Sequence, residues 1–196
     1  RLENDPVQVH KLIIDGEEVI VEEKNNEFYY DHDIVLSREQ MDLFKKWNGS
    51  MVRTDDRGAV LTKNHFTMLW PNKTLIYDPN FVDERNDSAS LTNLKASVKE
   101  AMRRITEKTG VKFKERADEK AFVQFVNHPK DNNSMVGMIG SVQKINIAYS
   151  KSVGTIIHEI MHALGVFHEQ ARADRDEYLY NKGTSGNWGI SGQMIG

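Results

Sequence analysis

Between residues 158 and 168 the chain reads His158-Glu159-Ile160-Met161-His162-Ala163-Leu164-Gly165-Val166-Phe167-His168, and no other segment restricts the fold so tightly. On an α-helix His158 and His162 stand one turn apart and leave the same face, so both imidazoles can meet a single metal ion. A third histidine, three residues past a glycine, cannot join them if the chain keeps spiralling along one axis. The helix must therefore stop at Gly165, where glycine accepts positive φ without a Cβ clash and turns the backbone so that His168 comes back. Ile156, Ile157, Ile160, Met161, Ala163 and Leu164 fill most of the other positions, which predicts a buried helix. A carboxylate at Glu159 in such a helix is costly unless it is paired, hydrogen-bonded or given a chemical task.

The donor set points to zinc and to hydrolysis. Structural zinc sites are usually closed by four protein ligands, whereas three imidazoles leave a fourth place for water, whose pKa zinc lowers toward about 7. Glu159 is the candidate general base for that water as it attacks a peptide carbonyl, and then the general acid for the departing amine. The bland reading is a core helix whose histidines meet backbone carbonyls and whose glutamate meets an arginine. Five residues in joint register argue against it.

The H-E-x-x-H-x-x-G-x-x-H string is that of the metzincin metallopeptidases, and the stretch from Gly154 through His168-Glu169 to Arg172-Ala173-Asp174-Arg175-Asp176 resembles the astacin family. Similar elements extend outward to Trp70-Pro71, the segment Ser90 to Lys108, Gly110-Val111-Lys112-Phe113, and Val136-Gly137 to Gly140. The resemblance implies an α+β, metzincin-like zincin domain: a twisted, mostly parallel sheet plus two long helices, preceded by a small propeptide unit. It implies one catalytic Zn2+, protein or peptide substrates and secretion. It also implies that Glu169 anchors the mature amino terminus; an ordinary surface ion-pair cluster is the competing reading.

The first stretch reads as that propeptide, residues 1–57, with the catalytic domain at 58–196. Lys11 to Ile14 and Glu17 to Val21 flank Asp15-Gly16, a hairpin signal. Ser37 with Gln40 forms a capping box opening a helix that carries Met41, Phe44 and Trp47. The polar run Arg53 to Gly58 suits proteolytic cutting. In the resembled family an F-x-G-D segment places its aspartate on the zinc and holds the enzyme latent, the propeptide acting as an intramolecular inhibitor. Tyr30-Asp31-His32-Asp33 lies in the corresponding region. Asp33 is the candidate blocking ligand; His32, standing where the pattern has glycine, is the alternative, and Asp31 with Asp33 as plain turn residues is a third reading.

Downstream, Lys73 to Tyr77, Val111 to Glu115, Ala121 to Val126 and Val142 to Tyr149 read as strands. Leu91, Leu94, Val98, Ala101, Met102 and Ile105 recur at helical spacing, with Ser90 near the start and Gly110 past the end. The metzincin resemblance implies a sheet edge that binds extended substrate antiparallel, and Met135 to Ser141 with the start of the next strand are the closest match to it. His10, His65 and His128 lack ligand spacing and read as surface residues. A net charge of −3 offers no case for nucleic acid, and no apolar run approaches the roughly 20 residues of a membrane helix. With no cysteine, a thiolate ligand or latency switch is excluded. The chain opens at Arg1 without a charged, apolar leader, which reads as an earlier segment already removed.

The family's Met-turn string, S-x-M-H-Y, does not occur; Met194 lies in Ser191 to Gly196 without a following His-Tyr. Two expectations follow. The chain is the front piece of a longer protein, with the remainder missing or supplied by a second chain. Its function is then either a latent zinc endopeptidase or a catalytically silent zinc-binding or interaction module.

Overall fold

The computed structural model describes residues 7–14, 17–47, 69–148, 152–168, 179–181 and 188–190. Four strands open the chain: β1 (Gln8–Ile14), β2 (Glu17–Lys24), β3 (Glu27–Tyr30) and β4 (Ile34–Leu36). Ile14 pairs with Glu17, so β1 and β2 form the two-residue hairpin read from the sequence, although Asp15 and Gly16 themselves lie outside the described residues. Helix α1 (Arg38–Trp47) follows. Its capping box closes as expected: the Gln40 N–H donates to Ser37 Oγ at 3.1 Å, and the Ser37 N–H donates to Gln40 Oε1 at 2.8 Å.

The second half supplies β5 (Thr74–Tyr77), β6 (Val82–Asp83), α2 (Ser88–Thr109), β7 (Lys112–Glu115), β8 (Phe122–Asn127), β9 (Asn133–Met135), β10 (Val142–Ile147) and α3 (Val153–Ala163). A small antiparallel pair, β11 (Leu179–Asn181) and β12 (Trp188–Ile190), ends the described chain. The main sheet runs β1-β2-β3-β4-β9-β10-β8-β5-β7, with β6 beside β8. Within this sheet every pairing in the second half is parallel except β9 with β10. Alternate residues Val123 and Phe125 of β8 and Ile145 and Ile147 of β10 are buried with Leu94, Val98, Ala101 and Ile105 of α2 and Ile156 and Ile160 of α3. Both helices therefore cover one sheet face, the α+β layout that the sequence predicts.

One element boundary differs from expectation for an identifiable reason. Helix α2 starts at Ser88 because Asp87, not Ser90, is its cap, accepting the Ser90 N–H at 2.9 Å. The Ser90 hydroxyl is used elsewhere, donating to Asn127 at 3.1 Å. The two units expected from the sequence also share one sheet and one core: β4 pairs with β9, and Phe28, Tyr30, Ile34, Leu36 and Met41 pack with Val136 and Phe167. The expected boundary at residues 57 and 58 lies outside the described residues.

Trp70 ties the start of the second half to the metal helix. Its indole N–H donates to the Ala163 carbonyl at 2.8 Å, one of the last carbonyls of α3, from a site only 5% exposed. Trp70→Phe orphans that carbonyl and leaves a void, so the expected cost is about 2–3 kcal/mol of stability. Urea unfolding measures it; an unchanged midpoint would mean that the bond contributes nothing.

Candidate metal centre

Ser152 caps α3 by accepting the Thr155 N–H at 3.1 Å, and the helix then runs on with Ile156 and Ile160 locked in the core. Its face toward the cleft carries His158, which is exposed, and His162, which is buried. The helix ends at Gly165, whose φ is 101°. The Gly165 N–H donates to the His162 carbonyl at 2.8 Å, and the Val166 N–H donates to the Met161 carbonyl at 3.0 Å. This paired closure is a Schellman stop, and it swings the chain so that His168 returns over the helix end.

The three Nε2 atoms form a nearly equilateral triangle, with edges of 3.0 Å (His158–His162), 3.2 Å (His162–His168) and 3.1 Å (His158–His168). Each Nε2 carries either one proton or one lone pair, so three mutual contacts cannot all be hydrogen bonds. Nitrogens bound to one tetrahedral zinc would lie roughly 3.3 Å apart. The His162 Nδ1–H donates to the Val166 carbonyl at 2.6 Å, and the His168 Nδ1–H to Asp31 Oδ2 at 2.7 Å. Both bonds keep the ring proton on Nδ1 and free the Nε2 lone pair for a metal.

A carboxylate closes the cluster. Asp33 Oδ2 lies 3.1 Å from His158 Nε2, and Oδ1 lies 3.1 Å from His168 Nε2 and 3.7 Å from His162 Nε2. Asp33 Oδ1 and Glu159 Oε2 are both buried without a hydrogen-bond partner, Glu159 being 1% exposed. Buried orphan oxygens are rare because each forfeits its solvation. Among the described residues, Asp33, His158, His162 and His168 form a group able to hold a metal ion. The donors and the orphaned oxygen fit zinc.

The metal-free electrostatics are correspondingly strained. Burial, reinforced by the negative charge of Asp33, pushes Glu159 up to about 8. Burial also pushes His162 down to about 4. It would lower His168 as well, but the hydrogen bond to Asp31 and the negative charges of Asp33 and Asp31 outweigh it and raise that ring to about 9. For Asp33 burial alone would raise the pKa, yet the hydrogen bond to His158 and the charges of His168 and His162 hold it well below the usual carboxylate range.

A model of the peptidase family described as Astacin matches residues 62–184, well over half of the chain. The chain belongs to the astacin family. Flavastacin of Elizabethkingia meningoseptica is 33% identical over 172 residues, covering 87% of this chain and 38% of that protein. Astacin-like metalloprotease toxin 2 of Loxosceles intermedia is 33% identical over 130 residues, covering 63% of this chain and 45% of the toxin. The chain thus spans less than half the length of these two relatives. Among solved structures, High choriolytic enzyme 1, a hatching enzyme zinc-protease from Oryzias latipes, is 29% identical, with a TM-score of 0.45, covering 58% of this chain and 55% of that one. Zinc is the cofactor that the astacin family and this donor set together imply.

Of the residues singled out in the sequence, the structure brings His158, His162, His168 and Asp33 together, buries Glu159 on the same helix and places Gly165 at the turn. His32 is exposed and outside the cluster, although it does adopt the glycine-like φ of 77°. Glu169 and the Arg172 to Asp176 run lie outside the described residues, as does His65. His10 and His128, expected at the surface, are half-buried: His10 meets Glu23 at 2.7 Å, and His128 Nδ1 accepts the Asp131 N–H at 2.9 Å. Asp31 is the site residue that sequence reasoning passes over as a turn former. The signal is present, because side chains two apart across so tight a turn can leave on the same side.

Proposed function

We propose that this astacin-family chain is a zinc endopeptidase in latent form, hydrolysing peptide bonds once residues 1–57 are removed and secreted as the family resemblance implies. The observation that carries the reading is the Asp33 carboxylate among the three imidazoles, within 3.1 Å of two of them. Bound zinc supplies a Lewis acid and an acidified water. Glu159 is the residue to hold and move the proton, since its carboxyl is buried on the helix of the first two histidines and its Oε2 has no hydrogen-bond partner. The imidazoles of His158, His162 and His168 are the donors, the Val166 carbonyl orients the second of them, and Glu169 remains the candidate anchor for a new amino terminus.

The strand pairing supports latency. β9 lies between β4 and β10, would be a sheet edge without the pro-segment strands, and overlaps the Met135 to Ser141 stretch expected from sequence only at Met135. β4 runs parallel to it, Ile34 opposite Ser134 and Val35 opposite Met135, and the Ser134 N–H donates to the Asp33 carbonyl at 2.9 Å. A substrate bound antiparallel to the same edge would run the other way. The pro-segment therefore fills the substrate's place with its peptide bonds reversed. The family match starting at residue 62 fits removal of the segment before it.

Asp33→Ala in the uncleaved, zinc-loaded chain is expected to raise casein hydrolysis at least ~10-fold, about 1.4 kcal/mol of lost blockade. The gain stays well short of the cleaved protein's rate, because β4 still covers β9. Activity no higher than the intact wild type's, under conditions where the cleaved protein hydrolyses casein, would rule out Asp33 as the latch. The second reading is a catalytically silent zinc-binding or interaction module. Cleaved, zinc-loaded protein that leaves casein intact would establish it.

A further inference from the structure

His168 is the one ligand of the three that the helix does not hold. His158 and His162 project from α3, whereas His168 sits past the Gly165 stop on irregular chain. Its orientation comes from the pro-segment. The turn between β3 and β4 spans residues 31–33, since Tyr30 pairs with Ile34. Two successive residues with positive φ, Asp31 at 50° and His32 at 77°, fold that turn tightly. The Asp31 and Asp33 carboxylates thereby project together into the site, while His32 between them is exposed. The result is a fork around one imidazole: Asp31 Oδ2 accepts from Nδ1 at 2.7 Å, and Asp33 Oδ1 lies 3.1 Å from Nε2.

We infer that Asp31 is a positioning residue for the third zinc ligand, so that the pro-segment retains the metal as well as blocking it. The carboxylate fixes the ring's tautomer, aims the Nε2 lone pair at the other two, and makes that nitrogen a better ligand. Two carboxylates near a dication held by neutral imidazoles also balance its charge. Removal of residues 1–57 takes this acceptor away together with Asp33. The intact chain therefore binds zinc more tightly than the cleaved one, by more than the loss of Asp33 accounts for. Only this last consequence rests on reading the segment as removable; the Asp31–His168 contact does not.

The test is zinc retention in the intact chain, measured as the dissociation constant in competition with a chromogenic chelator, with no hydrolysis assay involved. Asp31→Ala is expected to weaken zinc binding about 10- to 100-fold, the range for lost outer-shell partners of ligating histidines. Asp31→Asn, which keeps a neutral acceptor, recovers part of it. In a His168→Ala background, removing Asp31 changes affinity no further, a coupling that general damage to the fold would not show. With Co2+ in place of zinc, an exchangeable Nδ1–H proton resonance of His168 is present in wild type and Asp33→Asn and lost to rapid exchange in Asp31→Ala. Wild-type affinity in folded Asp31→Ala, or an equal loss with and without His168, overturns the inference. If Asp31→Ala does not fold, Asp31→Asn decides by the same coupling. Weakened zinc in Asp31→Ala beside a silent Asp33→Ala would leave the positioning role standing and remove latency; the converse pattern does the reverse.

Discussion

Glu159→Gln in the pro-segment-cleaved, zinc-loaded protein is expected to lower casein hydrolysis by about 10³-fold, within the range for loss of a positioned general base. Zinc content should stay at the wild-type level, because the donor atoms left after cleavage come from His158, His162 and His168 rather than from Glu159. Stability should move the opposite way. Glu159 is 1% exposed and its Oε2 lacks a partner, so an ionised carboxylate there is a standing cost that an amide avoids. We expect the variant to gain roughly 1–3 kcal/mol in the metal-free state at neutral pH. A residue retained at such a cost is one kept for its chemistry. The opposed directions also separate a lost proton carrier from a damaged fold. Equal turnover by variant and wild type would refute the role given to Glu159.

Much of this centre is legible in eleven consecutive residues, His158 to His168, because the constraints there are local. Helical periodicity places His158 over His162, and a glycine before a third histidine dictates the stop, which the φ of 101° at Gly165 provides. Ser37 with Gln40 and the apolar stripe of α2 are local in the same way. Contacts set by strand order are not. The Asp31–His168 bond joins residues 137 positions apart, and it exists only because β4 lies beside β9. No periodicity announces a parallel pairing between a strand of three residues near the amino terminus and another of three about a hundred positions later. The same holds for Trp70 and the Ala163 carbonyl, 93 positions apart. Asp87 is hidden for a smaller reason: with Asp87, Ser88 and Ser90 all able to cap, geometry decides among them.

Stripped of metal, the protein should lose stability as pH rises from about 6.5 to 8, and the loss should be steep. Four groups decide the sign. Glu159 has its folded value raised from 4.5 to about 8, so its contribution is present below 4.5 and is lost as pH rises through 8. His168, raised from 6.5 to about 9, contributes fully below 6.5 and loses that contribution through 9. His162, lowered from 6.5 to about 4, works the other way, but its effect is complete once pH exceeds 6.5. Asp33, also depressed, matters only below its ordinary value of 3.8. In the window above 6.5 the folded state thus binds extra protons at Glu159 and His168, and neither His162 nor Asp33 opposes them. Each full proton is worth about 1.4 kcal/mol per pH unit, so with partial coupling we expect a fall of roughly 1–2 kcal/mol per unit. Zinc reverses the trend, because ligation needs a neutral His168 and displaces its proton, and affinity therefore rises across the same range. Thermal melts at about pH 6.5, 7.25 and 8, with chelator and with added zinc, should show the gap between the two forms widening. In Glu159→Gln the metal-free slope should roughly halve, since one of the two protons is gone. A metal-free midpoint that holds steady or climbs with pH would mean that Glu159 and His168 do not share the buried, carboxylate-flanked surroundings on which the metal centre depends.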